Sequence, residues 1–224
     1  MRLSMPSSFL EGSCCGVGGS KHILNILFHG KRKTTYLYSK FKNIDSMALM
    51  KPFNLTKWID DNRHLLKPPV GNKNIYPMAD DYIVMVVAGP NARKDYHYNE
   101  TEELFYQLEG SIKIIVQEDG ERKEMEMHAG DMYLHPGNVP HSPVRSEGSI
   151  GLVVERVRAG RGFTDGLLWF CDNCNHKLYE VFFELHNIET DFLPHYQHFY
   201  NSESLRTCDK CGTVMETDPR YVAE

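Results

Sequence analysis

Turn chemistry recurs through the middle of this chain at short, regular intervals. Gly89-Pro90, Glu109-Gly110, Asp119-Gly120, Ala129-Gly130 and Pro136-Gly137 cut it into short pieces. Glycine reaches positive φ at no steric cost and proline presets φ, so such pairs reverse a chain rather than extend it. The pieces between them read as strands: Tyr82–Ala88, Glu103–Leu108, Ser111–Gln117, Arg122–Met127, Met132–Leu134 and Ile150–Val157. Asp119-Gly120 between apolar-alternating flanks is a hairpin signature. Many short strands at roughly 8–12-residue spacing predict a mainly β fold, a sandwich or a barrel. No internal repeat extends beyond these hairpins.

Composition bounds the function. A chain of 224 residues holds one or two domains, and an apolar fraction of 41% can fill a core. The net charge of −5 gives a nucleic-acid partner no electrostatic support. The longest apolar run, Ile83–Ala88, falls far short of the roughly 18 residues of a membrane helix. Four of the six cysteines form two Cys-x-x-Cys pairs near the C-terminus. That pattern reads as a metal site in a reducing compartment, so a cytoplasmic protein is expected.

Residues 1–49 differ from the rest. They hold Cys14 and Cys15, a glycine-rich stretch, the basic cluster Lys31-Arg32-Lys33 and few acids. They lack the amphipathic period of a transit peptide. The expectation is an extension that is disordered or absent from the working protein, with Met47 or Met50 as the working start. The body begins near Pro52. Asn54 or Thr56 can cap a helix whose apolar stripe is Trp58, Ile59, Leu65 and Leu66, ended by Pro68-Pro69. His64 on this helix reads as structural.

The chemistry concentrates in two stretches. The first runs from Arg93 to Gly110. Side chains alternate faces along a strand, so His97 and Glu103, six residues apart, would share one and Glu102 would point away. Arg93 has the parity of His97. A loop expected at Asn99–Thr101 interrupts the pattern. The second stretch, Gly130 to Arg145, gives a short strand, a Pro-Gly turn and His141. Two histidines and a carboxylate from separate strands are the ligand set of a mononuclear Fe(II) site with open positions.

These spacings resemble the two motifs of the cupin superfamily. In the first motif Glu103 and Gly110 fit, and Asn99 stands where a second histidine is usual. In the second, Gly130, Pro136 and His141 fit, Gly137 comes one place early and Arg145 replaces an asparagine. One histidine fewer leaves three protein ligands, with room for a chelating substrate and dioxygen. A cupin (double-stranded β-helix, or jelly-roll) barrel is therefore expected over residues 50–165.

Leu152–Val157 sets a charged pair inside an apolar run. Glu155 is either on an edge strand in solvent or turned into the barrel. A buried carboxylate costs several kcal/mol unless paired; Arg145 or a ligand could supply the partner. In residues 166–224, Cys171 and Cys174 are followed by Asn175, and Cys208 and Cys211 by Gly212. Asn and Gly most readily take positive φ, which suits a knuckle around a thiolate-bound ion. Two knuckles make a tetrahedral site for iron or zinc, a second metal.

Further residues narrow the resemblance. Pro52–Ile59, His64–Asn72, Gly89–Arg93, Asp95–His97, Glu103–Leu108 and Pro140–Pro143 are similar to the 3-hydroxyanthranilate 3,4-dioxygenase family, over roughly residues 50–216. The cysteine tail resembles the rubredoxin-like appendage of its bacterial and fungal branch. The resemblance implies Fe(II) on His97, Glu103 and His141, and substrates 3-hydroxyanthranilate and dioxygen. It implies Arg145 and Glu155 as substrate-binding residues and Arg93 beside dioxygen. A homodimer is the expected assembly. A cupin enzyme of other chemistry and a non-catalytic cupin are the competing classes. The former usually keeps the His-x-His pair, and the latter would show a degraded triad.

Overall fold

The computed structural model describes residues 51–67, 71–188 and 190–222. The expectations for residues 1–49 and for Pro68-Pro69 lie outside the described residues. The chain divides at Pro52/Phe53, and the description that follows is of the second unit.

Helix α1, Leu55–Asn62, is capped by Asn54, whose side chain accepts from the Lys57 N–H at 2.8 Å. It tightens into one 3-10 turn, Arg63–Leu65, short of the prolines expected to end it. Ile59 and Leu66 are buried as the stripe requires, but Leu65 is 48% exposed. The tighter turn, with 3.0 residues rather than 3.6, rotates Leu65 off the apolar face.

Eleven strands follow: β1 (Asn72–Asn74), β2 (Tyr82–Ala88), β3 (Asp95–Asn99), β4 (Glu103–Glu109), β5 (Ser111–Glu118), β6 (Glu121–His128), β7 (Met132–His135), β8 (His141–Arg145), β9 (Ile150–Arg156), β10 (Asp165–Phe170) and β11 (Lys177–Phe183). All six strands read from the turn pattern are present, within a residue at each end. Asp119 and Gly120 both have positive φ (54° and 79°), as a two-residue hairpin loop between β5 and β6 demands. The strands form two antiparallel sheets, ordered β1-β2-β9-β4-β7 and β11-β10-β3-β8-β5-β6. This is the mainly β cupin-type barrel the sequence predicts.

The core lies between the sheets: Met85, Phe105 and Val153 from one, Ile112, Ile114, Val116 and Met127 from the other. β10 was not foreseen, because five of its six residues are buried and no alternation marks it. It pairs with β3 over Asp165–Trp169 and carries β11 on its other edge. The expected division at 165/166 falls after the first residue of this strand. On the face that β10 shares with His97, Leu167 and Trp169 are covered by helix α2 (Leu193–Tyr200), with Trp169 stacked on Phe199 at 4.3 Å. A short helix α3, Glu203–Arg206, leads to the second cysteine pair. Among the described residues, no helix is long and apolar enough to cross a membrane.

Candidate metal centre and its surroundings

The bend at Glu100–Glu102 carries the chain from β3 in one sheet to β4 in the other, and both His97 and Glu103 face the space between them. His97 sits directly opposite His141 on β8. Glu103 is 4% exposed while Glu102 is exposed to solvent, as parity predicts. His97 Nδ1 lies 3.4 Å from Glu103 Oε1, and His141 Nε2 lies 3.3 Å from Oε2. The three residues are buried, and one donor atom from each lies within 4.8 Å of the others. Such a cluster can hold a metal ion.

Each donor is fixed from behind. His97 Nε2 is 2.9 Å from Asp165 Oδ1, which leaves Nδ1 for the centre. A ligating histidine commonly gives its other ring N–H to a carboxylate in this way, which sets its tautomer and orientation. Asn99 occupies the usual second-histidine position. It donates to Glu103 Oε1 and accepts from Thr101 N–H at 2.9 Å. It orients the carboxylate rather than adding a ligand. Burial opposes charge on both partners of the pair. Asp165 and Glu103 nonetheless raise His97 to about 9, and the two imidazoles hold Glu103 well below the carboxylate range. A bound cation competes with that imidazole proton, because histidine ligates as the neutral ring. Phe192 closes one side, edge-on to His97 at 5.3 Å. Buried His135 lies 4.2 Å from the His141 ring. It spends both nitrogens elsewhere, on Val139 O (2.8 Å) and the Tyr133 hydroxyl (3.2 Å), and is not part of the cluster.

The four cysteines also come together. Cys171 and Cys211 sulfurs are 3.6 Å apart, as are those of Cys174 and Cys208. A tetrahedron with metal–sulfur bonds of ~2.3 Å has edges of about 3.8 Å, so the donor set fits one ion. The two knuckles repeat each other. Asn175 N–H donates to Cys171 O at 2.9 Å, and Gly212 N–H to Cys208 O at 2.8 Å. Asn175 and Gly212 have the expected positive φ, 56° and 74°.

The family model for 3-hydroxyanthranilic acid dioxygenase matches residues 47–200. A 3-hydroxyanthranilate 3,4-dioxygenase from Xanthomonas oryzae pv. oryzae is 54% identical over 78% of this chain and 98% of its own length. The protein of the same name from Neurospora crassa is 41% identical over 77% of this chain and 94% of its own. Among solved structures, a cupin-2 domain containing protein from Shewanella frigidimarina aligns with 44% of this chain and 91% of its own, at 23% identity and TM-score 0.37. The chain belongs to the 3-hydroxyanthranilic acid dioxygenase family.

Three further residues singled out from the sequence are Glu155, Arg145 and Arg93. Glu155 on β9 pairs across the ladder with Glu103 and is 2% exposed, so it faces the interior. Its partner is neither Arg145 nor a ligand alone: Arg158, from the β9–β10 connection, donates to Oε2 at 2.8 Å. Glu155 Oε1 is buried without a partner. Burial and the neighbouring Glu103 push Glu155 up to about 7, against the pull of Arg158. Arg145 is also buried, and its Nη1 has no partner. Its guanidinium lies over Gly151, where an added Cβ would stand 3.0 Å from Arg145 Nη1 and 3.0 Å from Gln107 Oε1. Gln107 Oε1 is a third buried atom without a partner. Arg93 pairs with Asp95, which also accepts from Tyr196 Oη at 3.2 Å. It borders a cavity of about 460 Å³ shared with Asn91, Ile188 and Phe192. Sequence reasoning missed Arg158, Asp165 and Gln107. A charge three residues past Glu155 was the available signal for the first.

Proposed function

We propose that this chain is an Fe(II) enzyme that cleaves the C3–C4 bond of 3-hydroxyanthranilate. Both atoms of dioxygen enter 2-amino-3-carboxymuconate semialdehyde, which closes spontaneously to quinolinate on the kynurenine route to NAD. The observation that carries this reading is the pairing of a three-ligand cluster with unpartnered polar atoms in the same interior. Arg145 Nη1 is an orphaned donor and Glu155 Oε1 an orphaned acceptor. A buried group left unpaired costs about 1–3 kcal/mol, which a ligand with a carboxylate and adjacent hydroxyl and amino groups recovers.

His97, Glu103 and His141 would hold the ion. When bound, ferrous iron relays electron density between a closed-shell ring and triplet dioxygen. Arg145 would meet the substrate carboxylate as a two-toothed fork and so fix the ring's orientation. Glu155 Oε1 would accept from the ring's polar substituents. Arg93, its charge held in place by Asp95, would stabilise negative charge growing on dioxygen. Phe192 and the core residues around it would exclude water. Inserting both oxygen atoms takes all four electrons from the substrate, so no external reductant enters. The four-cysteine site then serves structure, with iron or zinc.

The same reading places the protein in the cytoplasm, where thiolates stay reduced. It makes residues 1–46 dispensable for activity, and it makes the working form a homodimer. The outer face of the five-stranded sheet supports the last point. Leu104, Tyr106 and Val154 lie on it beside Met132 and Leu134, which are 65% and 54% exposed, while Leu152 packs toward the cluster of helix α1. The deciding experiment adds 3-hydroxyanthranilate to Fe(II)-loaded protein in air. Loss of substrate absorbance with matching oxygen uptake is expected. An Fe(II)-replete protein that consumes neither sinks the proposal.

A further inference from the structure

Behind the metal cluster runs a second set of charged side chains, more deeply buried than the cluster itself. Asp165 is the first residue of β10 and is 0% exposed; Arg158 is 1% exposed. Arg158 Nε donates to both oxygens of Asp165, at 3.0 and 2.8 Å. Arg158 Nη1 donates to Glu155 Oε2 at 2.8 Å and to Arg156 O at 3.1 Å. Asp165 Oδ1 is the atom that holds His97. One continuous path of hydrogen bonds therefore runs from Glu155, through Arg158 and Asp165, to His97, whose Nδ1 faces Glu103 at 3.4 Å.

The path crosses the fold. Glu155 stands on the five-stranded sheet, His97 and Asp165 on the six-stranded one, and Arg158 ties the two where they approach the cluster. Stability alone does not explain such an arrangement. Replacing a buried ion network by apolar side chains of equal volume is often neutral or stabilising, so a network of this depth needs another reason to be there. Its geometry supplies one. Arg158 occupies only Oε2 of Glu155 and leaves Oε1 bare; Asp165 occupies only Nε2 of His97 and leaves Nδ1 for the cluster.

We propose that Arg158 and Asp165 are positioning residues that set the two halves of the site together. Asp165 fixes the ring of His97 toward the metal. Arg158, itself anchored by Asp165, fixes which oxygen Glu155 offers to substrate. The second half of this statement rests on the proposed ring-cleaving function; the first does not. Neither residue touches the reacting atoms.

The test uses the full chain and three variants: Asp165→Asn, Arg158→Gln and Arg158→Lys. Metal affinity of the barrel is read with Mn(II), a hard ion suited to carboxylate ligation and poorly suited to thiolates, by the electron paramagnetic resonance of the free ion. Asp165→Asn is expected to weaken Mn(II) binding about tenfold or more, the usual effect of removing the group behind a histidine ligand. Arg158→Gln should leave it within about threefold. For the Fe(II)-loaded protein, Arg158→Gln should raise KM for 3-hydroxyanthranilate about tenfold with kcat within about threefold, since contacts equal in ground and transition states move KM alone. Arg158→Lys keeps the charge but not the planar fork, and should recover only part of that loss. It also serves if Arg158→Gln does not fold. Variants that melt earlier yet keep wild-type Mn(II) affinity and KM would reduce the network to bracing and overturn the proposal. A wild-type protein without turnover would sink the ring-cleaving function instead, and the Mn(II) measurement would still decide the role of Asp165.

Discussion

Adjacent carboxylates make the sharpest comparison at the scale of single residues. Glu102 and Glu103 differ by one position on a strand, and this sends one to solvent and the other to within 3.4 Å of two imidazoles. Glu103→Ala should therefore lose barrel iron and turnover, whereas Glu102→Ala keeps both. Iron content by elemental analysis, corrected for the thiolate-bound ion, checks it; a depleted Glu102→Ala protein would reverse the assignment. His97→Ala and His141→Ala should behave as Glu103→Ala does. The two arginines should separate by kinetic constant. Arg145 carries an unpartnered buried donor, so Arg145→Ala removes substrate affinity worth about 1.5–3 kcal/mol, or roughly ten- to a hundredfold in KM. Arg93 is already paired with Asp95 and opens on a cavity beside Phe192, so Arg93→Ala should lower kcat more than it raises KM. Steady-state constants with the opposite pattern would exchange the two roles.

Elements show what the sequence could and could not carry. β5, β6 and β7 were readable because a turn pair bounds each at both ends; β2 and β4 have one at their C-terminal end, and β9 was read from its apolar run. Glu103 was chosen by assuming one extended segment from His97. The structure has two strands in different sheets, and Glu103 still faces the same interior as His97 because both sheets border it. β10 has no alternation, being covered on both faces, so neither it nor Asp165 could be read locally. Asp165 reaches His97 only because β10 pairs with β3, a contact between residues 68 positions apart. Arg158 lies in a connection, where periodicity says nothing of direction, and its role follows only once Glu155 is known to be buried. The outer face of the five-stranded sheet gives a prediction of its own. Leu134→Glu places a charge in its apolar patch, and a charged residue there should turn a dimer into a monomer without unfolding it. Light scattering after size exclusion reads the mass; an unchanged dimer would move the interface elsewhere.

For the molecule as a whole, two clusters that can hold a metal ion, His97/Glu103/His141 and the four cysteines, lie on one scaffold, and the proposed function gives them different duties. The barrel cluster shares its interior with two unpartnered polar atoms, Arg145 Nη1 and Glu155 Oε1. The cysteine knuckles instead gather the C-terminal segment, whose Phe199, Tyr200 and Met215 pack on Trp169. A structural metal contributes on the order of 10–16 kcal/mol of apparent binding energy in peptide-sized domains, ample to hold such a segment. Replacing Cys171 and Cys174 by Ser should remove one metal per chain and lower the melting temperature. The folded remainder, reloaded with Fe(II), should turn over at a comparable rate per barrel ion. A well-folded, barrel-loaded variant without ring cleavage would call for a redox or allosteric duty at the thiolates.

Asp165 begins β10 and Cys171 follows its last residue, so about 20 Å of a single strand joins the two centres. That strand is a rope made fast at both ends. Untying the thiolate end should let it fray from Phe170 inward, past the register shift between Trp169 and Phe170, and stop where Leu167 lies fully buried opposite His97. Amide hydrogen exchange in the Cys171/Cys174 variant should then show a gradient from Phe170, where it is fast, to Leu167, where it is slow. The length of that gradient measures how far a failure at one end travels before the other end feels it.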